Sequence, residues 1–410
     1  MTDKVHRAAV PGKAGVWVET GFENANPQSA DDIRVRRKGV VEIRQRLERG
    51  ASEDYAFHLH VALANEGRAA AAARLRIRWA TRRHDGCYDH MYIGYDDGRE
   101  WRMLATRAAR GVTDLELVVP PGRHLLCLHP KFDYGDCLEM LDRYGTHPAG
   151  RIDVAMTPEG RVVSCLRLGK RGAPRLVITT RAHPYETAGA FCMSGWMESI
   201  AGARPDGEEH HEGHEEHETI LGPSASRAAL DRLEIFLFPM INPDAVAAGN
   251  CCLAPTGVNF GRELFPRRGE DAGARGLADF ILGLEPSFYL DMHNYTGPHL
   301  VDDFRTPDAA LAEAVRPVLP DRSRDQKTWK VTVTPFHEGY LSEVCRRRFG
   351  TVPILTEFPW YLRRPEDMRE HGRLFFDALL SVLAGWREGN RRQTQMDAEK
   401  RDTTKGTKSI

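Results

Sequence analysis

Beyond about residue 150 the chain alternates short apolar runs with longer helical stretches, and this alternation restricts its fold more than any other feature. The runs are Leu176–Thr180, Leu233–Phe238, Ser287–Asp291 and Pro353–Thr356. Near-continuous apolar runs of this length are what strands covered on both sides require. Helical spacing is expected over 187–200, 273–284, 307–319 and 367–387, the last with Leu374, Phe375, Ala378, Leu379, Val382 and Trp386 on one stripe. Such a sequence predicts an α/β fold with a mixed central sheet and helices on both faces. In open α/β sheets ligand groups gather at the carboxyl ends of the strands, so residues that follow each run can converge although far apart in the chain.

The first 130 residues have another texture. Phe57–Val61, Leu75–Trp79 and Asp114–Val119 alternate with period two, and Gly94–Arg99 and Pro120–Arg123 between them are turn-rich. That pattern predicts a smaller antiparallel β-sandwich domain. Its His58 and His60 alternate with Phe57, Leu59 and Val61 and are expected to face outward, in a domain that restricts access rather than performs chemistry. The expected organisation is a tail over 1–14, a β-rich domain over 15–148, a catalytic domain over 149–388 and a disordered tail over 389–410. Within the catalytic domain, 207–218 reads GEEHHEGHEEHE, a low-complexity insertion.

Length and charge narrow the partners. A chain of 410 residues exceeds what one core usually serves, and 57 basic against 58 acidic side chains leave a net charge of -1. No overall field would draw nucleic acid or an anionic membrane, so the expected partner is a peptide or small amide substrate. The start, MTDKVHRAAVPGKAG, lacks an apolar leader, and no stretch has the roughly 18 uncharged apolar residues of a membrane span. A cytoplasmic protein is expected. Eight cysteines without a C-x-x-C pair argue against a disulfide framework or a cysteine metal site. The sequence sets no oligomeric state.

Chemistry enters at the ends of the runs. After the first comes His183-Pro184-Tyr185-Glu186, in which an imidazole and a carboxylate three apart can face one metal ion. With 17 histidines such a pair alone is weak. It is followed by Ile241-Asn242-Pro243-Asp244, Gly249-Asn250, Gly257-Val258-Asn259-Phe260-Gly261-Arg262, Asp291-Met292-His293-Asn294-Tyr295 and Thr356-Glu357. In this order the chain resembles the carboxypeptidase A-like zinc metallocarboxypeptidases, whose pattern is H-x-x-E, N-P-D-G, G-x-N/D-x-N-R, D-x-H-x-H/Y and T-x-E or T-E. It looks closest to the cytosolic branch, which carries a β-rich domain before the catalytic one. The resemblance covers about residues 150–385 and, more loosely, the sandwich.

The resemblance implies one Zn²⁺ per chain held by His183, Glu186 and His293, with the fourth position open. It also implies hydrolysis of a C-terminal amide bond by zinc-activated water with Glu357 as general base. Asn259 is an implied partner for the second ring nitrogen of a ligand histidine, and Asp291, two residues before His293 and on the same face if the strand continues, is a candidate for the same duty, a structural turn role being the alternative for both; Arg262 is implied for a substrate carboxylate. Cys252 stands where the cytosolic branch has an oxyanion-stabilising arginine, and Gly261 where it has a carboxylate-binding asparagine. No tyrosine stands at the expected distance before Glu357, and His337 and Tyr340 are the nearest polar candidates. These departures leave open an amidase or deacylase acting on a substrate without an ordinary free carboxylate, and a zinc-binding protein without catalysis. His210, His211, His214 and His217 of the insertion offer a rival metal site, read here as a solvated loop.

Overall fold

The computed structural model describes residues 5–386 apart from 37–38, 49, 51–57, 81–92, 105, 110, 147–148, 202–223, 297–298 and 321–328. The insertion at 207–218 and the tail at 389–410 therefore lie outside the described residues.

Two sheets form the N-terminal part. The first runs in the order His6–Ala9, Val16–Thr20, His60–Asn65, Gly122–Cys127, Ile93–Asp96, Trp101–Leu104. The second runs Ile33–Val35, Val40–Arg44, Ala71–Arg78, Val112–Val119, Arg107–Ala109. Period-two burial is plain in Ala71–Arg78, where Ala73, Leu75 and Ile77 are buried and Arg74, Arg76 and Arg78 are not. Val18, Ile43, Val61, Leu63, Leu75 and Leu126 belong to the one core these sheets share. Antiparallel pairing dominates, but Val40–Arg44 and Ala71–Arg78 pair in parallel. The crossover that a parallel pair needs is supplied by His60–Asn65, which lies in the other sheet.

The strand His60–Asn65 also corrects the expectation for its histidines. All six of its residues are buried, and so is His58. Alternation separates two faces of a strand, but here both faces are covered. His58 Nε2 and His60 Nδ1 each donate to the Asn24 carbonyl, at 2.9 and 3.1 Å.

The second part is built on eight strands, numbered here within their sheet: β1 (Gly150–Met156), β2 (Val162–Gly169), β3 (Arg175–Thr180), β4 (Glu234–Phe238), β5 (Phe288–His293), β6 (Asp302–Thr306), β7 (Trp329–Val333) and β8 (Val352–Glu357). Their order is β1-β2-β4-β3-β5-β8-β6-β7. The centre, β4-β3-β5-β8, is parallel, and β2 and β6 flank it antiparallel. The helices are α1 (Tyr134–Tyr144), α2 (Ala188–Ala201), α3 (Ser224–Leu230), α4 (Pro243–Ala247), α5 (Ala272–Leu284), α6 (Ala309–Val315), α7 (Leu341–Phe349) and α8 (Pro365–Ala384). Leu176, Ile178, Leu290 and Ile354 pack in a core with α1, α2, α6 and α8, while Val177, Tyr289 and Phe236 pack with α5 and α7. Both faces of the sheet are therefore covered. The helix expected over 307–319 ends at Val315, ahead of Pro317, whose missing N–H cannot continue the ladder. Helices α2 and α8 meet backbone to backbone: a β-carbon at Gly195 would lie 2.1 Å from the Arg369 carbonyl, and one at Gly372 2.2 Å from the Cys192 backbone.

The two parts are joined by polar contacts to the loop after α4. Asn26 donates its side-chain amide to the Gly249 carbonyl at 2.9 Å. Glu48 accepts from the backbone N–H groups of Cys251, Cys252 and Leu253 at 2.9, 2.7 and 3.1 Å.

Candidate active site

Parallel register at the sheet centre places the site. Thr180, the last residue of β3, pairs with Met292, and His293 at the end of β5 pairs with Glu357 at the end of β8. Beyond β3 the chain turns through Arg181, with φ at 63° in the left-handed region, and reaches His183. A tight turn follows, in which the Glu186 N–H donates to the His183 carbonyl at 3.1 Å. Asn294, just after β5, accepts from the Ala188 N–H at 3.1 Å and so ties the start of α2 to the end of that strand.

These constraints bring His183, Glu186 and His293 together, with ligand atoms of the three within 4.8 Å of one another and all three residues buried. His183 Nδ1 lies 3.1 Å from Glu186 Oε1, and His293 Nδ1 lies 2.7 Å from Oε2 of the same carboxylate. Among the described residues this is the group of histidines and carboxylates that could hold a metal ion. The ring of His293 is fixed from behind, because its Nε2 faces Asp291 Oδ2 at 3.1 Å while Thr179 donates to Asp291 Oδ1 at 2.8 Å. A carboxylate on the far nitrogen sets the tautomer that leaves Nδ1 free as a ligand.

The electrostatics fit a cation. Burial alone would raise the Glu186 pKa, yet His183 and His293 hold its carboxyl well below the usual carboxylate range. Burial would lower His293, but Asp291 and Glu186 drive it well above the usual imidazole range. The pocket thus favours positive charge between its ring nitrogens and Glu186, and this donor set suits a divalent metal. Glu357 differs. Burial pushes it up to about 8, against the opposing charge of His293 and with a further push from Glu186.

A cavity of about 180 Å³ opens onto these groups, lined also by Tyr185, Arg262, Tyr295, Arg305 and Tyr340. The structure thus brings together seven residues marked in the sequence: His183, Glu186, His293, Glu357, Arg262 and Tyr340 at the cavity, with Asp291 behind His293. Three others are placed differently. Asn259 Oδ1 accepts from the backbone N–H groups of Gly261 and Arg262, both at 3.0 Å, so it shapes the turn that presents Arg262. Cys252 is buried beside Cys251 and Tyr185, with its sulfur 3.8 Å from that of Cys251, and does not line the cavity. Gly261 lies against His183: a β-carbon there would be 2.7 Å from Nε2 and 3.0 Å from Cε1 of the ring. No asparagine side chain fits where that imidazole sits.

Sequence reasoning missed Arg305 and Asp303. Both lie on β6, which pairs antiparallel with β8, with Asp303 opposite Glu357. Arg305 donates to Asp303 Oδ2 at 2.8 Å and to the Tyr295 hydroxyl at 2.7 Å, and that hydroxyl donates to Asp303 at 2.8 Å. The segment Asp302-Asp303-Phe304-Arg305-Thr306 has little apolar character, so its strand left no signal. Tyr295 could have been found, since it stands two residues past His293 in the D-x-H-x-Y string.

No protein-family model matches the chain, and no curated protein matches it. Solved structures do. The metallo-carboxypeptidase from Burkholderia cenocepacia superposes with a TM-score of 0.71 at 17% identity, over 90% of this chain and 99% of that one. The fold is that of the metallo-carboxypeptidases. A second metallo-carboxypeptidase, from Pseudomonas aeruginosa and solved in complex with (2-guanidinoethylmercapto)succinic acid, gives 0.68 at 14% identity, over 90% and 98%. Both matches span nearly the whole of each partner chain, so the shared metallo-carboxypeptidase fold takes in N-terminal sheets as well as the eight-stranded one. At such identities the likeness is one of fold, and the chemistry has to be argued from the residues. Among the described residues no helix is long and apolar enough to cross a membrane.

Proposed function

We propose that this chain is a zinc-dependent hydrolase that cleaves the C-terminal amide bond of a peptide or peptide-like substrate, with residues 149–388 as its catalytic unit. One observation carries the reading: two imidazole nitrogens face the two oxygens of one buried carboxylate, and Glu357 ends the neighbouring strand in register with His293. His183, Glu186 and His293 would hold the metal. Zinc in such a setting supplies Lewis-acid polarisation of the scissile carbonyl and acidifies water. The rest falls to the chain itself. Glu357 takes the proton of the attacking water and returns it to the leaving nitrogen. Burial favours the second half of that role, since it stabilises the protonated acid. Arg262, exposed at the cavity wall, anchors the free carboxylate of the substrate through charge-assisted hydrogen bonds. Tyr340 and the Tyr295–Arg305 pair frame the residue to be released.

An amidase or deacylase remains the second reading, because Gly261 offers no side chain and Cys252 is withdrawn behind Tyr185, which thins the carboxylate anchors. A mass-spectrometric screen of peptides with free, amidated and N-acylated ends separates the two. Release of a C-terminal residue from free ends only, abolished by His183→Ala, supports the carboxypeptidase. Turnover only of blocked ends would reverse the order of the two readings, and no turnover of any would leave a non-catalytic metal protein.

A further inference from the structure

Behind the loop that carries His183 lies a site of the opposite chemistry. Arg181 is wholly buried, and its Nε, Nη1 and Nη2 have no hydrogen-bond partner among the described residues. A guanidinium keeps its proton in proteins, so Arg181 is charged at neutral pH. A buried charge without a partner is among the costliest arrangements a fold can hold. The backbone φ of 63° is uncommon for a residue with a β-carbon, so the side chain is held here by its surroundings.

Arg181 lines a small cavity together with Asn24, His58, His60, Lys131, Pro184 and Thr187, with room of about 10 Å³ for the centre of a water-sized ligand. That space takes one small particle and excludes sulfate or phosphate. No carboxylate lines it among the described residues. Asp133, Asp136 and Glu186 act on Arg181 only through space. The first two are bound by Lys131 Nζ at 2.6 and 2.8 Å, and Glu186 is held by the two imidazoles. His58, His60 and His129, which also lines the cavity, are neutral at ordinary pH, because burial pushes them down to about 4, about 3 and about 4. The charge left facing the cavity without a partner in contact is therefore single and positive.

We propose that this cavity binds one small monovalent inorganic anion, for which chloride is the probe, with the Arg181 guanidinium as its donor. Asn24, His58 and His60 come from the N-terminal part, His60 from one of its strands, whereas Arg181, Pro184 and Thr187 belong to the loop around the proposed metal ligands. The anion then clamps one part of the molecule to the other, directly behind the active site. This does not depend on the catalytic reading.

The test uses the full chain, exchanged into gluconate buffer and unfolded by urea at constant ionic strength with increasing chloride. Once chloride exceeds its dissociation constant, the folded-to-unfolded ratio should rise about tenfold for each further tenfold of chloride. Sulfate should not substitute for it, and Arg181→Met, of similar length without charge, should fold independently of chloride. Crystals of the parent grown in bromide should show one anomalous peak beside Arg181, a readout that needs no variant to fold. An equal response of parent and Arg181→Met to chloride, an equal effect of sulfate, or a cavity free of bromide at saturating concentration would each overturn the proposal.

Discussion

Replacing Gly261 by alanine should damage the metal site although Gly261 is not a ligand. The added β-carbon would sit 2.7 Å from His183 Nε2 and 3.0 Å from Cε1. Ordinary carbon contacts begin near 3.5 Å, so the ring or the turn must yield by roughly 0.8 Å. Neither yields easily. The ring is held at Nδ1 by Glu186 at 3.1 Å, and the turn is pinned by Asn259 accepting from the Gly261 and Arg262 N–H groups at 3.0 Å. Overpacking of this kind costs about 1–3 kcal/mol. Ligand distances tolerate only about 0.2 Å, so metal affinity should fall by roughly 10–100-fold. Urea denaturation reads the first quantity, and competition for zinc against a chromogenic chelator reads the second. Gly261→Asn, which would restore the residue of the resembled pattern, should do worse than alanine. If Gly261→Ala matched the parent in both stability and zinc affinity, the close approach to His183 would not be a constraint and the reasoning would fail.

Glu357→Gln should keep the parent's zinc content while lowering turnover by about 10²-fold or more, and near-parental turnover would show that another group moves the proton. The buried Asp302 accepts from Arg363 Nη1 and Nη2, both at 2.6 Å, so Arg363→Met should cost about 3–5 kcal/mol in urea denaturation by removing the guanidinium and leaving that carboxylate to His371 alone. Burial alone would raise Asp302, but His371 and Arg363 hold it at about 2, below the ordinary 3.8. A depressed folded pKa contributes stability that is present above about pH 4 and disappears as pH falls toward 2, here about 2 kcal/mol. Denaturation between pH 5 and 2 should show that loss in the parent and much less of it in an Asp302→Leu, Arg363→Met double variant. Glu48→Gln weakens three charge-assisted bonds to the loop at 251–253 and should lower stability by about 1–3 kcal/mol while leaving zinc bound, as denaturation and metal analysis would show.

The chain's local chemistry determined its central strands and marked the residues proposed to hold the metal. Near-continuous apolar runs such as Leu176–Thr180 can be stable only when covered on both faces, and the structure covers them with α1, α2, α6 and α8 on one side and α5 and α7 on the other. His183, Glu186, His293 and Glu357 were legible because strand ends in a parallel sheet all point to one edge, which turns chain order into spatial neighbourhood. What stayed hidden depended on contacts between segments distant in the chain. Period-two alternation told which residues of His60–Asn65 share a face, but not that both faces would be covered. Arg305 entered the site only through antiparallel pairing of β6 with β8, a register that five polar-leaning residues do not announce. Gly261 read as a lost substrate anchor until the distance to His183 showed it as a place where no side chain fits. The burial of Arg181 has no local signal either, since it depends on the N-terminal part arriving beside its loop. Periodicity and turn chemistry act over a few residues and can be read in order, whereas burial and close approach depend on which remote segment arrives, and only tertiary packing decides that.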